Sequence, residues 1–126
     1  MTRTSVETGR APCPSGAYSQ GIRSGSIVAV AGQVGIDSST GLLADGVAAQ
    51  TRQAIANVEA ILRAAGASLD SVVQARCYLR DVSQFDEFNS AYLLLMPDPK
   101  PARATIGAAI PGEGDVEIEV LAVTDD

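Results

Sequence analysis

The apolar positions of the chain repeat with two different periods. Val47, Thr51, Ala54, Ile55, Val58, Ile61, Leu62 and Ala65 form one stripe at helical spacing, which predicts a helix from Val47 to Ala65. Glu59 and Arg63 stand four apart on its outer face, in the favourable order, and Gly66 follows as a C-terminal cap. Phe85, Phe88, Tyr92 and Leu95 mark a second helix that ends before Pro97. Ser83 is its expected N-cap, with Asp86 in a capping-box position. Pro97, Pro99 and Pro101 then forbid helix and form a stiff connection.

A period of two governs the other segments. Val73, Ala75, Cys77 and Leu79 alternate with Gln74, Arg76, Tyr78 and Arg80, as in a strand with one apolar face. Val116, Ile118 and Val120 alternate with Asp115, Glu117 and Glu119 before Leu121-Ala122-Val123. In the segment from Arg103 to Ile110, Arg103, Thr105 and Gly107 share one parity, and Ala104, Ile106 and Ala108 share the other. Ile27 to Ala31 is an unbroken apolar run, as expected of a buried strand. A weaker strand over Tyr18 to Ile22 joins it through the turn Arg23-Ser24-Gly25-Ser26 to make a hairpin. Residues 1–15 read as an irregular lead-in with a short edge strand near Val6. The order is ββ, helix, β, helix, ββ, in one α+β domain over residues 1–126. Two helices can cover one face of such a sheet, so the other face is wet or covered by another subunit. A core of this size favours a homo-oligomer.

Composition narrows the chemistry. The 126 residues include no histidine, which removes Ser-His-Asp and Cys-His triads, His-ligated zinc and a His general base. Fifteen acidic against nine basic side chains give a net charge of -6, and Lys100 is the one lysine. Such a chain gains no counterion-release affinity for nucleic acid and no attraction to an anionic membrane. Cys13 and Cys77 lie far apart without a CxxC pattern, which favours free thiols over a disulfide. No apolar leader follows Met1, and no apolar run approaches about 18 residues, so a cytoplasmic protein is expected.

Several side chains are candidates for a site. Arg103 opens a strand just after the proline-rich segment, and its planar fork suits a carboxylate. A surface position, or a structural ion pair with Glu117 or Glu119, is the alternative. Asp115, Glu117 and Glu119 read as a solvated face unless burial or a cation singles out one of them to orient a water. Tyr18 follows a flexible loop and reads as a pocket wall or as packing. Asn89 reads as a helix-surface amide or a ligand. Gly32 and Gly35 bracket Gln33, a weak signal with no Walker or Rossmann pattern around it.

Five segments, taken together, resemble one family. Gly16-Ala17-Tyr18-Ser19-Gln20-Gly21 is similar to its GPYSQA segment, and Ala31-Gly32-Gln33-Val34 to its SGQI/SGQV strand end. Gln50-Thr51-Arg52-Gln53-Ala54 with Asn57-Val58 is similar to its QTRQ…N(L/V) helix. Asp81, Phe85 and Asn89 match its D…F…N pattern, and Pro101-Ala102-Arg103 with Val116-Glu117-Ile118-Glu119 its PAR…(V/I)EIE signature. The family is RidA, also called YjgF, of reactive imine/enamine deaminases, and the match runs in order from Ala11 to Val123.

The resemblance implies a chorismate-mutase-like α+β fold and a homotrimer with sites in the clefts between subunits. It implies hydrolysis of 2-imino or 2-enamino acids to 2-oxo acids and ammonia, with no cofactor and no metal. By the same resemblance Arg103 binds the substrate carboxylate and Glu117 positions the water. Tyr18 and Asn89 line the pocket, and backbone groups near Ala31 and Thr105 complete it. Four departures stand out. Ala31 replaces a common Ser, Ala17 replaces Pro, and Leu95 and Met96 stand where aromatic residues are common. The segment from Arg103 to Pro111 is one residue shorter than in some members. Two other readings fit the same residues: a specialised deaminase of another catabolic enamine, aminomuconate-like, and a trimeric module that binds small carboxylates without turnover. An endoribonuclease role has also been attached to the family, and the acidic balance and missing histidine disfavour it.

Overall fold

Side chains alternate across a strand, so the buried residues show which face of a sheet the helices cover. The computed structural model describes residues 2–125. In chain order the elements are β1 (Arg3–Val6), β2 (Gly21–Ser24), β3 (Ile27–Val34), α1 (Val47–Ala64), β4 (Val72–Leu79), α2 (Phe85–Leu95), β5 (Ala102–Gly107) and β6 (Val116–Val123). The strands form one sheet in the order β1-β2-β3-β6-β4-β5. All neighbours are antiparallel except β4 and β5, which run parallel with α2 between them in the chain. Among the described residues no helix is long and apolar enough to cross a membrane.

Both helices lie on one face. Val28 and Val30 of β3, Ala75, Cys77 and Leu79 of β4, and Val116, Ile118, Val120 and Ala122 of β6 are buried there against Ile55, Val58, Ile61 and Leu62 of α1 and Phe88 and Tyr92 of α2. Burying each large aliphatic side chain in this layer contributes about 1.5–3 kcal/mol. The opposite face has no helix, and Ile27, Leu121 and Val123 are exposed on it beside Arg76.

Polar side chains fix α1 where the strand ladders end. Asn57, fully buried, donates to the carbonyls of Val34 and Ile36 at 3.1 and 2.9 Å and accepts from Gln53 Nε2. Gln50 donates to the Asp115 carboxylate at 3.1 Å and accepts from the Asp115 backbone N–H at 2.8 Å. These bonds satisfy buried groups that would otherwise be costly. They also hold the end of β3 and the start of β6 to one helix.

The expected elements are all present, with local corrections. The helix over 47–65 ends at Ala64, and Gly66 takes the left-handed conformation expected of its cap, at φ 82°. The second helix is not capped by Ser83. Instead Asp81 accepts from the Ser83 N–H and hydroxyl, and a 3₁₀ turn over Val82–Gln84 leads into α2. Asp86 makes no capping contact at the start of α2, where no side chain caps the helix. The strand expected over Tyr18 to Ile22 begins at Gly21, and Tyr18 lies in the preceding loop. The lead-in contains β1, paired with β2. Val73 is exposed because a register shift between Val72 and Gln74 turns it off the apolar face and buries Val72 instead. Cys13 is exposed, Cys77 is buried, and both are free thiols.

Gly35 tests the close seating of α1. A Cβ there would lie 2.6 Å from the Gln50 Cα and 2.7 Å from its carbonyl oxygen, both helix backbone. Gly35→Ala is therefore expected to lose about 1–3 kcal/mol in urea unfolding.

Candidate active site

The sequence-marked residues form two separate clusters. Strand pairing explains why. Arg103 pairs with Ala75, whose side chain is buried on the helix face, so Arg103 points toward the helices. Glu117 pairs with Tyr78, and both alternate with the buried Val116, Ile118, Cys77 and Leu79, so they point to the open face. Arg103 therefore pairs with neither Glu117 nor Glu119, and the structural ion pair is ruled out within one chain.

The Arg103 cluster is built by α2 lying over the edge strand β5. Phe85, Phe88 and Tyr92 occur at helical spacing on one face of α2. Their ring centroids stand 5.6, 5.6 and 4.7 Å from the guanidinium carbon. The ring faces attract the cation by about 0.5–2 kcal/mol each and restrict its motion. Asn89 Oδ1 accepts from Arg103 Nη1 at 2.8 Å. A cavity of about 310 Å³ opens beside it, lined by Asn89, Tyr92, Leu93, Lys100, Pro101 and Arg103.

The electrostatics of this cavity are one-sided. Among the described residues no carboxylate stands within ion-pair distance of Arg103. Burial pushes the Cys77 thiol and the Tyr92 phenol both up to about 12, so neither supplies a negative charge near neutral pH. Lys100 donates to the carbonyls of Leu93 and Met96 at the end of α2 and pairs with Asp98 at 3.5 Å. Two buried hydroxyls nearby in the fold, that of Tyr92 on α2 and that of Thr105 two residues along β5 from Arg103, have no hydrogen-bond partner. Native structures rarely leave such groups unmatched. A cation without a counter-charge beside an open cavity suits an anion.

The second cluster lies where β3 meets β6. Ser15, Tyr18, Ala31, Gly32, Val34, Pro111 and Glu117 line a cavity of about 310 Å³. Tyr18 is exposed, and its hydroxyl accepts from the Ser15 N–H at 3.2 Å, closing the loop on itself. Gln20 anchors the base of that loop. It is buried, and it bonds Thr8 N–H at 2.7 Å and the carbonyls of Thr8, Ala11 and Pro12. Ala31 N–H donates to the Gln20 carbonyl at 2.9 Å. Arg80 holds the opposite rim, donating to the carbonyls of Ile110, Gly112 and Gly114 around Pro111. Burial, and then the Glu119 carboxylate, hold the Glu117 carboxyl above its ordinary value. Glu119 accepts a hydrogen bond from Tyr78 OH.

The structure thus joins Arg103 with Asn89 beside Thr105, and Glu117 with Tyr18 and Ala31, and it keeps the two groups apart. Sequence reasoning missed the aromatic cup, Gln20 and Arg80. The spacing of Phe85, Phe88 and Tyr92 was visible, but it reads as core until the register of β5 places Arg103 beneath it. Among the described residues no group of three or more His, Cys, Asp or Glu side chains is placed to hold a metal ion.

Comparisons with known proteins follow this geometry. The family model described as Endoribonuclease L-PSP matches residues 8–124. A 2-iminobutanoate/2-iminopropanoate deaminase of Bos taurus is 38% identical over 98% of this chain and 91% of its own length. The crystal structure of RidA from the Antarctic bacterium Psychrobacter sp. superposes with a TM-score of 0.92 at 38% identity, covering 95% of this chain and 98% of that one. That of E. coli TdcF with bound serine gives 0.93 at 32% identity, covering 97% and 99%.

Glu117 carries a stability cost that can be measured. Its folded carboxyl binds a proton more tightly than the unfolded one, so stability falls as pH rises from the ordinary carboxylate value through the raised one. Glu117→Gln is expected to melt above wild type at neutral pH. The difference should close below about pH 4 in thermal melts followed across pH.

Proposed function

The chain belongs to the endoribonuclease L-PSP family, that of RidA and of relatives named imine deaminases, and we propose that it hydrolyses 2-imino and 2-enamino acids to 2-oxo acids and ammonia. One observation carries this reading: Arg103 is held by three rings and Asn89 with no counter-charge. A small carboxylate matches the planar guanidinium in charge and in its paired oxygens. The serine bound to TdcF is a ligand of the same chemical kind.

In this reading Arg103 grips the substrate carboxylate and fixes the adjacent C=N carbon. Glu117 accepts a hydrogen bond from a water and aims its oxygen at that carbon. As the C–O bond forms, the π electrons move onto nitrogen and a proton of the water passes through the Glu117 carboxylate to that nitrogen. The carbinolamine then passes its hydroxyl proton to nitrogen by the same carboxylate, and ammonia leaves as the C–N bond breaks and C=O forms. An enamine first tautomerises to the imine. Imines hydrolyse unaided in water, so orientation and one placed carboxylate suffice without histidine. A carboxyl held above its ordinary value is a better proton acceptor than an unperturbed carboxylate.

The two half-sites lie on opposite faces of one sheet, so one substrate cannot reach both within a chain. We assign the complete site to a cleft between copies in a homotrimer, Arg103 coming from one and Glu117 from the next. The exposed Ile27, Leu121 and Val123 on the open face supply apolar surface for that contact.

Two experiments test this. A pyridoxal-phosphate dehydratase can generate 2-aminoacrylate or 2-aminocrotonate in situ. Wild type is expected to accelerate 2-oxo acid release and Arg103→Ala to lose at least about 100-fold. Equal rates for wild type and buffer would refute the activity. Co-refolding inactive Arg103→Ala and Glu117→Ala chains is expected to restore roughly one quarter of the sites, as random pairing in a ring requires. No recovery would refute the shared site.

A further inference from the structure

Gly32 lines the cavity that holds Glu117. It sits in a β-bulge: β3 advances from Val30 to Gln33 while its partner β6 moves from Val120 to Ile118, so β3 holds one extra residue. Before the bulge Val28 and Val30 face the helices, and after it Gln33 does. The extra residue thereby turns Gly32 toward the face that carries Glu117. Bulges re-aim side chains in this way next to active sites.

A Cβ built on Gly32 would lie 2.6 Å from Glu117 Oε2, 2.9 Å from its Cδ and 3.1 Å from its Cγ. All three nearest atoms belong to that one side chain. At Gly35 the obstacle is helix backbone, and at Gly21 it is the buried Ile61. Gly32 also lies outside the left-handed region, so alanine can adopt its backbone conformation. What glycine provides here is space, occupied by the Glu117 carboxylate.

We propose that Gly32 is a positioning residue whose missing side chain forms the seat of the Glu117 carboxylate. The inference rests on the reading of Glu117 as the group that aims the water. The obstacle is the free end of a flexible side chain, so a methyl group at position 32 displaces the carboxylate while leaving the fold intact. On the same face as Glu117 lie Glu119 of β6 and Tyr78 and Arg76 of β4, with Tyr18 across the cavity, while the Asp115 carboxylate before β6 is turned to Gln50 of α1. The carboxylate leaves its half-buried seat, and its raised affinity for a proton, which burial dominates, falls with it.

The test is Gly32→Ala in the intact protein. Its melting temperature should match or exceed wild type, since alanine restricts the unfolded chain. kcat for imine hydrolysis should fall at least about tenfold, and the Glu117 carboxyl, followed by carbon NMR, should titrate nearer its ordinary value. On a Glu117→Ala background the same substitution should cause no further loss, because it acts through that side chain. Unchanged kcat with unchanged titration, a loss of stability like that of Gly35→Ala, or an equal kcat loss on both backgrounds would overturn the seat. Should wild type show no deaminase activity, the titration alone decides the seat, and the proposed reaction fails separately.

Discussion

Alternation across the sheet is the constraint on which the rest of this structure depends. In β4, β5 and β6 each residue is committed to one face by its parity, and a one-residue slip would exchange the faces. Arg103 shares its face with Ala75, Cys77 and Leu79, and Glu117 shares its face with Tyr78. The same rule that builds the core under α1 and α2 therefore separates Arg103 from Glu117. In the proposed reaction one substrate has to meet both, and a second copy on the open face would answer that demand and cover the unpartnered apolar surface together.

The two half-sites are held by different physics. Around Arg103 the holding groups are apolar and aromatic, and the charge is left without a partner. Around Glu117 they are backbone hydrogen bonds, from Gln20 to the lead-in and from Arg80 to the loop carrying Pro111. Each arrangement leaves a cost unrelieved in the single chain: an uncompensated cation with two idle hydroxyls on one side, a half-buried carboxylate on the other. Such costs concentrate where a ligand is to be met.

Most of the fold was legible because periodicity reports burial directly. The stripe from Val47 to Ala65 and the alternation over 73–80 and 115–123 each name a face, and the structure uses those faces. Legibility failed where one residue breaks the period. The register shift at Val73 and the bulge around Ala31 and Gly32 add no residue type that a pattern can detect. At the start of α2, Asp81 and Ser83 are both good caps, and the choice between them depends on a 3₁₀ turn that local sequence does not dictate. For the site, the resemblance supplied the residues singled out there. Their division into two groups follows from strand order, which no single segment encodes.

Histidine-free hydrolysis is consistent with this division of labour. Where the reaction is intrinsically fast, the catalyst supplies placement, and placement is steric before it is electronic. The aromatic cup fixes where the Arg103 guanidinium stands, and in the proposed site the bulge at Gly32 fixes where the Glu117 carboxylate stands. Neither device needs an unusual functional group, and both need backbone geometry set by the sheet. A histidine would bring a stronger base than an imine requires. In the proposed reaction a missing methyl group and three ring faces would place the two reacting partners, and for a labile C=N bond placement is what the protein has to add.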